Sequence, residues 1–254
     1  MKWQTFFIAL SLSVSPLAAQ TDRAVLITQL QPLVEAGNAE AGYHLGMMRL
    51  LGIGGKKDVA SAFALFKAAA EAGDPLATYK LGDFYARGEN GIVEADPALA
   101  LQWEMVAAEA GYALAQHDVA KMLFDSSDLD TALEWLTRSA AQGHGDALRA
   151  LASLHNSDAI AKDGARTYAY YKLYLRRIAA PTQKQQDFLT EFAKVITAQD
   201  RKRGDKIVAD WKTEQTPITK RAQAGLRAAE ALVATLAVAQ APEPPMESSP
   251  AVPK

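Results

Sequence analysis

The sequence predicts an all-α fold, a right-handed α/α solenoid of about four helix-pair repeats closed by a C-terminal helical cap. Three observations predict it. Four glycines, Gly37, Gly73, Gly111 and Gly143, recur at spacings of 36, 38 and 32 residues. Behind each, small and apolar residues recur at fixed offsets that trace one face of a helix. Four aspartates, Asp58, Asp96, Asp128 and Asp163, mark the start of a second helix in each unit, where a carboxylate can accept hydrogen bonds from free backbone N–H groups.

The chain has 254 residues, 49% of them apolar, enough to bury the core of one or two domains. Its net charge of −2 and pI near 6.1 give no basic excess to hold nucleic acid. Residues 1–19 have the three parts of a secretory signal: Lys2, an apolar run from Phe6 to Val14, and small residues ending at Ala19. That run is shorter than the ~20 residues a bilayer span needs. Its removal leaves a net charge of −3, and the chain contains no cysteine. A cysteine-free exported chain suits an oxidising compartment. The expected location is the periplasm, with secretion as the alternative.

Residues 20–36 read as an N-terminal capping helix, with Leu26, Leu30, Leu33 and Val34 on one face. The array follows over 37–180. Four residues after each register glycine stands alanine: Ala41, Ala77, Ala115 and Ala147. Eight after stand Leu45, Leu81, Val119 and Leu151, then small residues, Gly46, Gly82, Ala120 and Ala152. Small residues let helices approach and larger ones fill the space beside them. In the second helices, the seventh residue after the aspartate is Leu65, Trp103, Trp135 or Tyr170, read as core. The turn inside each unit is glycine-rich in the first two units only, so the pattern decays toward the C-terminus.

The best-kept unit holds Ala77, Leu81-Gly82, Tyr85, Gly88, Gly91, Asp96, Ala100, Trp103, Ala107-Ala108 and Gly111. This pattern resembles the Sel-one-like repeat, a relative of the tetratricopeptide repeat. The resemblance covers roughly residues 35–180 and makes Leu81, Gly82, Tyr85, Gly88, Asp96, Trp103, Gly111 and Trp135 structural positions. Arg49 and Leu123 in the tyrosine column and Leu65 in the tryptophan column depart from it.

Residues 181–214 read as C-terminal capping helices, carrying Phe188, Phe192, Ile207, Val208 and Trp211, because a repeat array exposes an apolar face at each end. Pro217 opens a further amphipathic helix, expected over 215–240, with Ile218, Ala222, Leu226, Ala229, Val233 and Leu236 on one stripe. Arg227 and Glu230 exclude it as a membrane span. It either docks on the cap or offers its stripe to a partner. The Pro-rich residues 241–254 are expected to be disordered.

No catalytic set stands out. His144 and His155, with Asp146 and Asp158, lack the tight spacing of a zinc site. Gly52–Lys57 lacks the spacing and the Ser or Thr of a phosphate loop. Ser139, His144 and Asp146 lie across a helix end without the elbow that exposes a nucleophile. The run Arg201-Lys202-Arg203 reads as a solvated helix face. No cofactor or metal is expected.

The first helices of stacked pairs line a concave surface. His44, Lys80, Asp83 and Arg87 are therefore the expected partner-binding positions. The resemblance implies a noncatalytic, exported scaffold for a protein or peptide. The alternatives are a regulatory subunit that restrains a membrane sensor and a hydrolase of cell-wall fragments or β-lactams. Members linked to β-lactam chemistry are cysteine-rich, unlike this chain.

Overall fold

The four aspartates cap the second helices as the spacing requires. Asp58, Asp96, Asp128 and Asp163 each accept a hydrogen bond from the backbone N–H three residues on, at 2.9, 3.0, 3.3 and 3.0 Å. Each such cap contributes about 1 kcal/mol. The helices they open are α3 (Val59–Glu71), α5 (Pro97–Glu109), α7 (Leu129–Ala141) and α9 (Gly164–Leu175). Their antiparallel partners are α2 (Ala39–Leu51), α4 (Pro75–Arg87), α6 (Ala113–Asp125) and α8 (Gly145–His155). The computed structural model describes residues 16–125 and 128–239. Within them the chain forms 13 helices and no strand beyond a single bridge, Glu89 to Val93.

Each second helix turns into the next first helix at a register glycine. Gly37, Gly73, Gly111 and Gly143 have φ of 83°, 90°, 91° and 80°, a left-handed backbone that side chains disfavour. The first helices bury the small column, Ala41, Ala77, Ala115 and Ala147, and the aliphatic column after it. The next column is glycine in the first two units for a specific reason. A Cβ at Gly46 would lie 2.7 Å from the Phe66 ring, and one at Gly82 would lie 2.6 Å from Cγ of Glu104. Trp135 is buried, and Trp103 and Tyr170 are partly buried against the core clusters.

The helix α1 spans Pro16–Glu35, beginning upstream of the residue 20 expected for the N-terminal cap. Its buried residues Leu26 and Leu30 pack on Ala41 and Met48 of α2. The expected signal segment is outside the described residues over 1–15, as are Ser126, Ser127 and the tail from 240.

After the repeats come α10 (Gln183–Val195) and α11 (Ala198–Asp210). The latter covers the end of the array: Gly204 lets it approach until a Cβ there would lie 2.8 Å from the Ala165 carbonyl. Trp211 packs edge-on against Tyr170, with ring centroids 5.9 Å apart. The shorter contact of α10 is made by Phe188 on Tyr171, at 4.5 Å. In the basic run, Arg203 is exposed, as a solvated helix face requires, and it also pairs with Asp163 and Asp200.

The helix expected over 215–240 is two helices, α12 (Pro217–Ala224) and α13 (Leu226–Ala239). Gly225 separates them with φ 56° and ψ −123°, outside helical space. They dock on the repeats and on α1 rather than on the C-terminal cap. From Trp211 the chain leaves α11 without helix for six residues, then runs back along the first-helix side toward α1.

Candidate functional site

The first helices present their N-terminal ends along one side of the array, and the residue after each register glycine stands there: Asn38, Asp74, Tyr112 and His144. Asn38 and His144 cap α2 and α8 through single bonds from Ala41 and Ala147. Asp74 does more. Its Oδ1 accepts from Leu76 N and Ala77 N at 3.0 and 2.8 Å, and its Oδ2 accepts from Arg221 of α12 at 2.5 Å. Arg221 also reaches Glu40 at 3.1 Å and lies over the Tyr43 ring. The neighbouring His44 imidazole, 3.5 Å away, and the Arg221 charge hold the Glu40 carboxyl below its usual range.

The segment 212–239, the arm, thus lies on this side of the repeats. Glu214 N donates to Ala141 O. The Thr216 hydroxyl donates to Gly111 O at 2.8 Å, and Thr219 Oγ1 accepts from Ala113 N at 3.0 Å. Gln142 Oε1 accepts from Thr216 N and from the Thr219 hydroxyl. Gly111 serves twice, since a Cβ there would also lie 2.9 Å from Cγ2 of Thr216. Farther on, Ala229 of α13 is buried against α1 and α2. A cleft of about 410 Å³ stays open beside α12, lined by Tyr112, Gly143, His144, Arg177 and Gln223 among others.

Of the four expected partner-binding residues, His44 is not available. It is 4% exposed, on a helix covered by α1 and α13 as well as by its repeat neighbours. The other three lie together on the second half of α4. Lys80 and Arg87 flank Asp83 at 3.9 and 2.6 Å, and the Arg87 side chain is 70% exposed. None of the arm's hydrogen bonds or ion pairs among the described residues reaches them. Beside them Tyr79 donates to Asp118 Oδ2 of α6 at 2.9 Å, while His117 meets the other oxygen at 3.0 Å. Burial, with Asp118 adding to it, pushes the Tyr79 phenol far above its ordinary value. Surface pairs of this kind stabilise little, about 0–1 kcal/mol, so their side chains can re-pair with a partner at small cost.

The residue that sequence reasoning missed is Glu104. It follows the tryptophan column, where the first and third units bury Phe66 and Leu136. Its carboxyl is 3% exposed and its Oε2 has no partner. Burial first, then the charges of Asp118 and Asp83, push it up to about 8 from an ordinary 4.5. The folded chain therefore holds a proton between those values that the unfolded chain releases. Stability is full below pH 4.5 and is lost as pH rises through about 8. Glu104→Gln removes that loss. We expect it to be near neutral at pH 5 and to stabilise by about 2–3 kcal/mol at pH 8, read by thermal unfolding at the two pH values. The signal was legible as a charge in an apolar column.

The residues weighed for chemistry do not assemble. Ser139 is fully buried and donates to Ala113 O at 2.6 Å, so it is no exposed nucleophile. His144 caps its helix beside His117, with centroids 5.0 Å apart, and burial lowers its pKa. His155 stacks on Tyr170. Among the described residues no group of three or more His, Asp or Glu could hold a metal, and no helix is long and apolar enough to cross a membrane.

The Sel1 repeat family matches three units, at 39–74, 75–112 and 113–144. The fourth pair, α8 and α9, keeps the caps and small columns without being matched. A Sel1 repeat protein from Oxalobacter formigenes, solved by crystallography, superposes with a TM-score of 0.61 at 22% identity, covering 77% of this chain and 82% of that one. At that identity the likeness concerns the fold. The c5321 protective antigen of uropathogenic Escherichia coli aligns over 79% of this chain and 59% of its own, at 16% identity and a TM-score of 0.32. The immunity protein Pa5087 of Pseudomonas aeruginosa aligns over 63% and 80%, at 19% identity and 0.36. No curated protein is a match for the chain.

Proposed function

The chain carries three Sel1 repeats over residues 39–144, and from that premise we propose that it is an exported, noncatalytic scaffold that binds another protein in the bacterial envelope. Sel1 repeats typically serve protein–protein interaction. The observation that carries the reading is the charged strip on the second half of α4, where Arg87 is exposed and Lys80 and Asp83, 22% and 25% exposed, lie beside it on the first-helix side. Such a rim of re-pairable charges gives specificity and association rate more than raw affinity. Export rests on the signal pattern of residues 1–19, and the location proposed is the periplasm.

The test is capture from a periplasmic extract with the mature chain as bait. The triple charge reversal Lys80→Glu, Asp83→Lys, Arg87→Glu is expected to lose the partner at least 10-fold, as paired charges at an interface do. A partner retained in full by the reversed chain would place the binding surface elsewhere. Export has its own check: the N-terminal residue of the protein purified from its host is expected to be Gln20, and an intact Met1 would contradict it. Saturable turnover of a cell-wall fragment or β-lactam, lost on changing His144 or His155, would overturn the noncatalytic reading. The second reading is a subunit that restrains a membrane sensor. It is favoured by the arm, a segment already held at the edge of the same surface.

A further inference from the structure

We propose that the seat of the arm, from Asp74 to Gln142, is a recognition surface for a partner's helical segment, and that the arm is its resident occupant. The partner segment carries an N-capping Ser or Thr, a second hydroxyl three residues on and an arginine two beyond that. This deepens the scaffold reading above and rests on it.

The arm itself defines that chemistry. Thr216 caps α12 by accepting from Thr219 N while its own hydroxyl donates to Gly111 O. Thr219, one turn on, is buried and meets Ala113 N and Gln142. Arg221 completes the set on Asp74 and Glu40. Three of the groups engaged on the repeats are main-chain atoms, Gly111 O, Ala113 N and Ala141 O. Main-chain groups recognise any segment that offers the same donors and acceptors in order. Specificity then falls to Asp74, the one charged residue in the column of Asn38, Asp74, Tyr112 and His144. An arginine fork matches a carboxylate better than a lysine does.

The seat is built to be vacated. Thr219 is the single buried residue of α12, whose Ile218 and Ala222 pack only partly buried on the repeats. The helix α13 stays on α1 and α2 through Ala229, so the part that leaves is α12 with its linker. The linker before it carries no helix over 211–216, and Gly225 breaks the chain behind it. The open cleft beside α12 leaves room for a longer occupant. Elements with few buried apolar contacts are those that open locally.

The experiment uses the full chain and a fluorescein-labelled peptide of residues 212–226. Fluorescence anisotropy is measured with the wild type, with Arg221→Glu and with Thr219→Val chains. Limited proteolysis at the arm and circular dichroism of the helices accompany each. The expected result is at least 10-fold tighter peptide binding to both variants than to the wild type, whose own arm competes. A peptide carrying Arg221→Glu is expected to bind none of the three. If proteolysis shows the arm released with the helices intact and the peptide binds no better, the seat does not recognise the segment and the proposal falls. If the arm stays protected in both variants, Arg221 and Thr219 do not hold it, and the proposal falls equally. Neither outcome touches capture through Lys80, Asp83 and Arg87, so the two readings fail separately.

Discussion

Phe66→Ala is expected to cost about 3–5 kcal/mol of stability, the largest effect of any single change in the array. The side chain is fully buried on α3. Its ring lies 6.2 Å from those of Tyr43 on α2 and Phe84 on α4, so it joins three consecutive helices. Gly46 gives it a hollow into which no Cβ intrudes. With the ring gone, glycine has no side chain that could move in, and the cavity stays open. Such unrelieved cavities stand at the costly end of large-to-small substitutions. Chemical denaturation should show a lower midpoint with an unchanged slope. A loss under about 1 kcal/mol would mean that α2 and α4 collapse onto the space. Repeat arrays distribute stability between neighbours, so α2 to α4 should lose exchange protection before α8 and α9.

Asp74→Ala is expected to cost about 3 kcal/mol, near the lower end for breaking a buried ion pair because Arg221 keeps partial access to water. The carboxylate is 2% exposed on its side chain, against 20% for Arg221. Alanine removes two backbone caps at once, from Leu76 and Ala77, and strands the guanidinium beside Glu40 alone. Asp74→Asn separates the two losses. Its amide oxygen keeps the cap, while its charge is gone, and it should retain the cap's share of about 1 kcal/mol. Denaturation of both variants checks this. Equal losses would mean that the cap contributes nothing, and a loss below about 1 kcal/mol for Asp74→Ala would dismiss the Arg221 contact as a clasp.

The parts of this fold that were legible in the sequence are those set by local chemistry. An aspartate three residues before a free N–H forms the same cap in all four units whatever surrounds it. A glycine between two helices takes a positive φ for the same reason each time. The site was less legible, because exposure depends on what lies across the helix. His44, Lys80 and Asp118 occupy one column, seven residues after a register glycine. Only the first is buried, since α1 and α13 add cover to α2 that α4 and α6 lack. The stripe over Ile218–Leu236 was visible, but no spacing reveals that it turns back along the repeats. That path depends on Thr216, Thr219 and Arg221, which fall among ordinary polar positions of the sequence. Glu104 was hidden differently. Its neighbours in the column, Phe66 and Leu136, mark the position as core, yet the fold accommodates the acid as a protonated group beside Gly82.

The central claim is that the first-helix side is a binding surface whose occupant, the arm, can leave while the repeats stay folded. Hydrogen exchange of the full chain, wild type against Arg221→Glu, tests it most directly. The Ala113 amide, which donates to Thr219, and the amides of 216–224 should lose protection together, while the core of α4 to α9 keeps its own. Deprotection spread across the repeats would make the arm part of the core, and the claim would be wrong.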